Sequence, residues 1–136
     1  MRNDLVDLNP GKAMAQAAHA ANQFIACSDV RLSLTSNIEG VRVYNLKEHI
    51  IAWQNQAKGF GTTVVLSATK NEIVNICESG KSEQYICETV WDPTYPIRDG
   101  DDTITIDVMT CGYVFVSPYT KTYETEFLLR KLRLYP

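Results

Sequence analysis

Residues 10–26 carry the clearest pattern in the chain. Met14, Ala17, Ala18, Ala21, Phe24 and Ile25 recur at helical spacing, and no β-branched residue intervenes before Ile25. Asn9 is a good N-cap and Pro10 suits the first helical position, so a helix is predicted over 10–26 with that apolar stripe facing the core. Residues 28–44 show no sustained period, Gly40 interrupts them, and they read as an irregular excursion. A helical stripe returns over 46–56 through Leu46, Ile50, Ile51 and Trp53, and Gly59-Phe60-Gly61 closes it. The β-branched run over 62–66 predicts a strand. Thr69 and Glu72 form a capping-box pair for a helix over 70–78, which Ser79-Gly80-Lys81 ends. Strands are predicted over 84–91, 103–106 and 111–116, with a short weak one over 1–5. Asp92-Pro93-Thr94-Tyr95-Pro96 cannot continue a central strand, because proline lacks the ladder donor. Residues 98–102 read as a polar turn. The last helix is expected over 119–132, with Tyr123, Phe127, Leu128 and Leu132 inward.

Strands alternating with helices imply an α/β fold. The expected architecture is a mixed, mainly parallel sheet of four to five strands flanked by helices. At 136 residues the chain fits one domain, 1–136, large enough to bury a core without disulfides or a structural metal. Hydrophobic content of 45% with 21% charged residues is ordinary for a globular protein. No apolar run is long enough for a membrane span and the N-terminus has no signal-like core, so a cytoplasmic protein without membrane partners is expected.

The four cysteines, Cys27, Cys77, Cys87 and Cys111, form no Cys-x-x-Cys pair and have no histidine at ligand spacing. They read as reduced, packed thiols, with no metal and no cofactor implied. A net charge of −3 argues against non-specific nucleic-acid binding, which needs a positive field. Lys121, Arg130, Lys131 and Arg133 could still form a local basic face, or simply a solvated one.

Lys12, Gln16 and His19 fall at i, i+4 and i+7 of the first helix and share one face. With Asn9 and Gly11 at the helix start, Lys12 would sit beside free backbone N–H groups and the positive dipole end, a plausible anion site. The same stripe is also what any amphipathic helix shows to water. Asp92, where a strand meets a proline-rich turn, is the second candidate, with Trp91, Thr94 and Tyr95 near enough to line the same pocket. Aspartate before proline also simply starts turns well. Asp99, Asp101 and Asp102 lack the ligand periodicity of a calcium loop.

Asp4-Leu5 followed by Gly11-Lys12-Ala13-Met14-Ala15-Gln16-Ala17-Ala18-His19-Ala20 resembles the signature of the second class of peptidyl-tRNA hydrolases, the archaeal and eukaryotic type, found in diverged form in some phages. Leu132-Arg133-Leu134-Tyr135 is similar to the family's chain end. The resemblance implies a peptidyl-tRNA-hydrolase-like fold, no obligatory cofactor and cleavage of the ester at a tRNA 3′ end, in a family many of whose members are homodimers. Carried over, Lys12, Asp92 and His19 are the catalytic candidates. Lys12 would contact phosphate or orient the ester, and Asp92 would position the attacking water. Gln16 and His19 would line the same cleft; the residues' own chemistry adds Asn9, Gly11, Thr94 and Tyr95 as ligand contacts, with Trp91 or Tyr95 able to stack on a base. The chain departs from the pattern at Pro10, where the family has lysine, and after Asp92, where its Arg-Thr-Gln is not in register. Two alternatives stand beside the esterase: a relative without turnover that binds a nucleotide-like molecule in the same cleft, and a module that regulates a translation enzyme.

Overall fold

The computed structural model describes residues 1–35, 41–59, 61–117 and 123–136. Helix α1, Pro10–Thr35, starts at Asn9, whose side-chain oxygen accepts the Lys12 amide at 3.0 Å. It spans 26 residues, about 39 Å at 1.5 Å per residue. It continues through the first part of the stretch expected to be irregular, and α2, Val41–Gln54, occupies the last part. Interruption at Gly40, closure at Phe60 and a helix start at Tyr119 fall outside the described residues, as does the side chain of Tyr123.

The buried face of α1 is set by Phe24. Counting back from it by helical steps gives Ala20, Ala17, Gln16 and Ala13, and these residues are buried or pack on buried ones. Met14 lies off that stripe and is 70% exposed, contrary to expectation. Alanines occur all round this helix, so they do not mark a side; one large residue does. Phe24 stacks on Phe115 at 5.1 Å and meets Trp53 edge-on at 5.2 Å, joining α1, α2 and the ribbon they cover.

That ribbon is a hairpin of β2, Ile86–Asp99, and β3, Asp102–Phe115, paired antiparallel. Gly100, at φ 64°, opens its two-residue turn, the backbone such hairpins require. β2 runs straight through Pro93 and Pro96. A two-stranded ribbon leaves each strand one unpaired edge, so proline costs no ladder bond there, and Pro93 and Thr94 fall in a register shift between Asp92 and Tyr95. A second shift, between Val90 and Trp91, leaves Thr110 as an extra residue on β3. The strands expected over 103–106 and 111–116 are thus one continuous strand.

α1 and α2 cover one face of the ribbon and α3, Lys70–Ser82, covers the other. α3 begins with the expected capping box: Thr69 Oγ1 accepts the Glu72 amide, and the Glu72 carboxylate accepts the Thr69 amide at 2.7 Å. It runs past the expected stop at Gly80, where the missing side chain makes room for Cys87 Sγ. α4, Tyr123–Lys131, packs on α3, with Leu132 against the Met109 cluster and Phe127 exposed. The remaining strands, β1, Leu66–Ser67, and β4, Arg133–Leu134, pair antiparallel.

The expected mixed sheet of four to five strands, and the peptidyl-tRNA-hydrolase-like fold with it, is therefore corrected to two small antiparallel two-stranded sheets and four helices among the described residues. Residues 62–65 carry strand-like side chains but are not assigned to a strand, and 1–5 contribute a single parallel bridge, Arg2 to Ala68. β-branched composition suits a pleated surface; it does not supply a partner edge. No described helix is long and apolar enough to cross a membrane. The four cysteines are free thiols.

Two substitutions test the packing. A Cβ on Gly112 would lie 2.7 Å from Ile73 Cγ2 and 3.3 Å from Cys77 Sγ. Gly112→Ala should therefore lower stability by about 1–3 kcal/mol through overpacking, and Thr69→Ala by about 1 kcal/mol through the lost cap. Thermal melts should show both losses, the larger at Gly112.

Candidate functional site

Gln16 is 2% exposed, an unusual place for an amide. Its position on the α1 stripe drives it into the seam against the ribbon, and both ends of the amide are satisfied there. Nε2 donates to Asp92 Oδ2 at 2.6 Å, and Oε1 accepts from Thr110 Oγ1 at 2.6 Å. The extra residue on β3 turns the Thr110 hydroxyl into the seam, as bulges commonly do. The second Asp92 oxygen accepts the Thr94 amide at 2.9 Å and the Thr94 hydroxyl at 3.0 Å, closing the turn that begins at Pro93.

Asp92 is 6% exposed. Burial pushes its acid up, but the Thr94 amide, the Gln16 amide, the Thr94 hydroxyl and the charge of nearby His19 outweigh that, and the carboxyl titrates below its ordinary range. The buried group is thus a carboxylate. Three of its roughly four acceptor positions are filled, which leaves one for a water or a substrate donor.

Lys12 lies one turn before Gln16. Its ammonium donates to Asp7 Oδ2 at 2.6 Å and to the Pro96 carbonyl at 2.6 Å, and stands 5.1 Å from the centre of the Tyr95 ring. One N–H remains for an incoming anion. Tyr95 is fully buried and donates to the Val6 carbonyl at 3.2 Å, so it is a wall rather than a stacking surface. Asp7 holds Lys12 from a left-handed backbone position, φ 59°, and Lys12 in turn draws the Asp7 acid below its usual range.

The structure brings Lys12, Gln16, Asp92, Thr94 and Tyr95 together, with His19 exposed at the rim. Trp91 is 56% exposed while its neighbours Val90 and Asp92 are buried, so it points to the other face of the ribbon. Asn9 caps α1. The expected supply of free amides at that helix start is smaller than supposed: Pro10 has none, and the Lys12 and Ala13 amides are both bound by Asn9, leaving Gly11. A side chain at Gly11 would meet only Asn9 Oδ1, at 3.4 Å. Asp4 has a structural place. Arg2 bonds its carboxylate, which accepts the Lys70 amide at the start of α3. No group of three metal-ligating side chains occurs among the described residues. Thr110 and Asp7 complete the cluster and were not anticipated. Nothing in the local pattern marks Thr110, because its role comes from a register shift between two strands.

No protein-family model, no curated protein and no solved structure matches this chain.

Because folding lowers the Asp92 acid, its carboxylate contributes stability above the ordinary aspartate range, about pH 3.9, and that contribution is lost as pH falls through the folded value. Asp92→Asn should therefore melt well below the parent at pH 7, with the gap narrowing below about pH 4. Paired melts from pH 7 to pH 3 measure it, and a constant gap would contradict the assignment.

Proposed function

We propose that the seam between α1 and the ribbon is the active site of an esterase acting on the ester at a tRNA 3′ end, as in peptidyl- or aminoacyl-tRNA. The observation that carries this reading is the Gln16–Asp92 contact. It joins the signature-bearing helix to the acidic corner of β2, with Lys12 one turn away.

An ester of a ribose hydroxyl is activated, so its hydrolysis needs a positioned water and charge stabilisation more than a strong base. The open lone pair of Asp92 holds the water. The water oxygen bonds to the carbonyl carbon, the bond to the 3′ oxygen breaks, and the water's proton passes to that oxygen to restore the hydroxyl. The free N–H of Lys12 faces the developing oxyanion or the neighbouring phosphate. His19, exposed on the same helix, relays the proton in this reading. The likeness of Asp4-Leu5 and residues 11–20 to the second class of peptidyl-tRNA hydrolases supports the choice of substrate.

Trp91 favours a second reading. It offers an open aromatic face on which a base can stack, so a nucleotide-like ligand bound without turnover would sit on the opposite face of the ribbon from Asp92 rather than in the Lys12–Asp92 seam.

Release of free tRNA from an N-blocked aminoacyl-tRNA decides between them. The esterase reading expects turnover that is flat from pH 5 to 8 as far as Asp92 governs it, since this carboxylate is already ionised there. Asp92→Asn and Lys12→Ala should each cost about 10²–10⁴-fold. No release at high protein concentration, with thermal stabilisation by nucleotides that Trp91→Ala removes, would replace the esterase with the binding reading.

A further inference from the structure

The outer half of the β2–β3 ribbon has no cover. Every residue from Arg98 to Thr105 is exposed, on both faces of the two strands. A bare two-stranded ribbon is marginally stable in water, yet this one carries an apolar row. The register sets Tyr95 opposite Ile106 and Ile97 opposite Ile104, so these residues share one face. Tyr95 is buried; outward of it Ile97 and Ile106 are half-buried and Ile104 is exposed.

The same face ends in carboxylates. Asp99 stands opposite Asp102 on the last rung, and Asp101 lies in the turn between them. Like charges directly opposite one another weaken a pair of strands. No ion pair among the described residues includes these three, and they form no group able to hold a metal ion. Arg98 falls on the reverse face.

A matching surface lies at the foot of the ribbon. Phe127, Arg130 and Lys131 fall at i, i+3 and i+4 of α4, share one face and are exposed, and exposed Arg133 follows in β4. The Lys131 ammonium stands 3.9 Å from the centre of the Phe127 ring. An exposed apolar group is rimmed here by cations, where the ribbon tip has apolar groups rimmed by carboxylates. Patches of that kind mark interaction surfaces. The two do not meet within one chain. Leu132 anchors this end of α4 to Met109, and the tip of β3 lies roughly 23 Å further along the strand, beyond the reach of a side chain.

We propose that the ribbon tip of one copy docks on the α4 face of a second copy, whose own tip docks on the first in return. Such an exchange is two-fold and closes, so it gives a dimer rather than a filament. It sets Arg130, Lys131 and Arg133 against Asp99, Asp101 and Asp102, and lays Ile104 on Phe127. The like-charge rung gains counter-charges, and the apolar row gains a cover. A polyanion would suit the α4 face alone and leave the acidic tip unmatched, whereas a second copy answers both.

Sedimentation at high protein concentration tests this. The chain should be a dimer in about 10 mM salt and a monomer in about 1 M, as the screening length falls from about 30 Å to about 3 Å. Asp101→Lys with Asp102→Lys should be monomeric at low salt, and so should Arg130→Glu with Lys131→Glu. Mixed in equal amounts, the two double variants should form a dimer, because each tip again meets a face of opposite charge. That recovery distinguishes lost docking from a damaged fold. A parent chain that stays monomeric at low salt, a dimer that survives either reversal, or a mixture that stays monomeric overturns the proposal. The first of these leaves the tip to a basic partner other than this chain, and the second moves the interface to another face.

Discussion

The seating of α1 on the β2–β3 ribbon is the constraint from which the rest of the molecule follows. Ala13, Ala17 and Ala20 bring the helix backbone close to β2 and β3, where a larger side chain would hold it off. Close approach then places Gln16 where no water competes for its amide, and it must find partners in the protein. Asp92 and Thr110 are those partners. Helix, strand and bulge are thus fixed relative to one another by two hydrogen bonds of 2.6 Å, one to a charged acceptor. Phe24, two turns further on, holds the same seam by aromatic packing with Phe115 and Trp53.

Elements were legible in the sequence wherever one residue settles the local geometry. The capping box at Thr69 and Glu72, the N-cap at Asn9 and the turn at Gly100 each follow from a residue's own chemistry. Pairing was not legible. The β-branched run over 62–66 looks like a strand because its side chains suit one, yet only Leu66 and Ser67 are assigned. Pro93 and Pro96 argued against strand over a stretch that is strand, since the argument presupposes neighbours on both edges. The helical continuation to Thr35 was missed for a related reason: its polar residues carry no apolar period.

The candidate site was legible in its parts and not in its closure. Lys12, Gln16 and Asp92 were marked by helical spacing and by the end of an apolar run, both local signals. What joins them is not local. Thr110 reaches Gln16 only because the hairpin carries an extra residue on β3, and the Pro96 carbonyl reaches Lys12 only because β2 continues past the proline turn. Trp91 was grouped with Asp92 by adjacency, whereas consecutive residues of a strand face opposite ways.

Gln16 also decides what kind of base Asp92 can be. An apolar residue in its place would remove one of the donors that offset burial and move the acid back upward. With Gln16 and Thr94 donating, the group stays ionised, and its proton affinity is low. Such a carboxylate abstracts protons poorly but orients a water well. That suits acceptors already activated toward attack better than amides, which need a stronger push on the nucleophile and protonation of a worse leaving group. An ester of a ribose hydroxyl is such an acceptor. In the proposed reading, the preference for an ester over an amide rests on the donors from Gln16 and Thr94 rather than on the shape of the cleft.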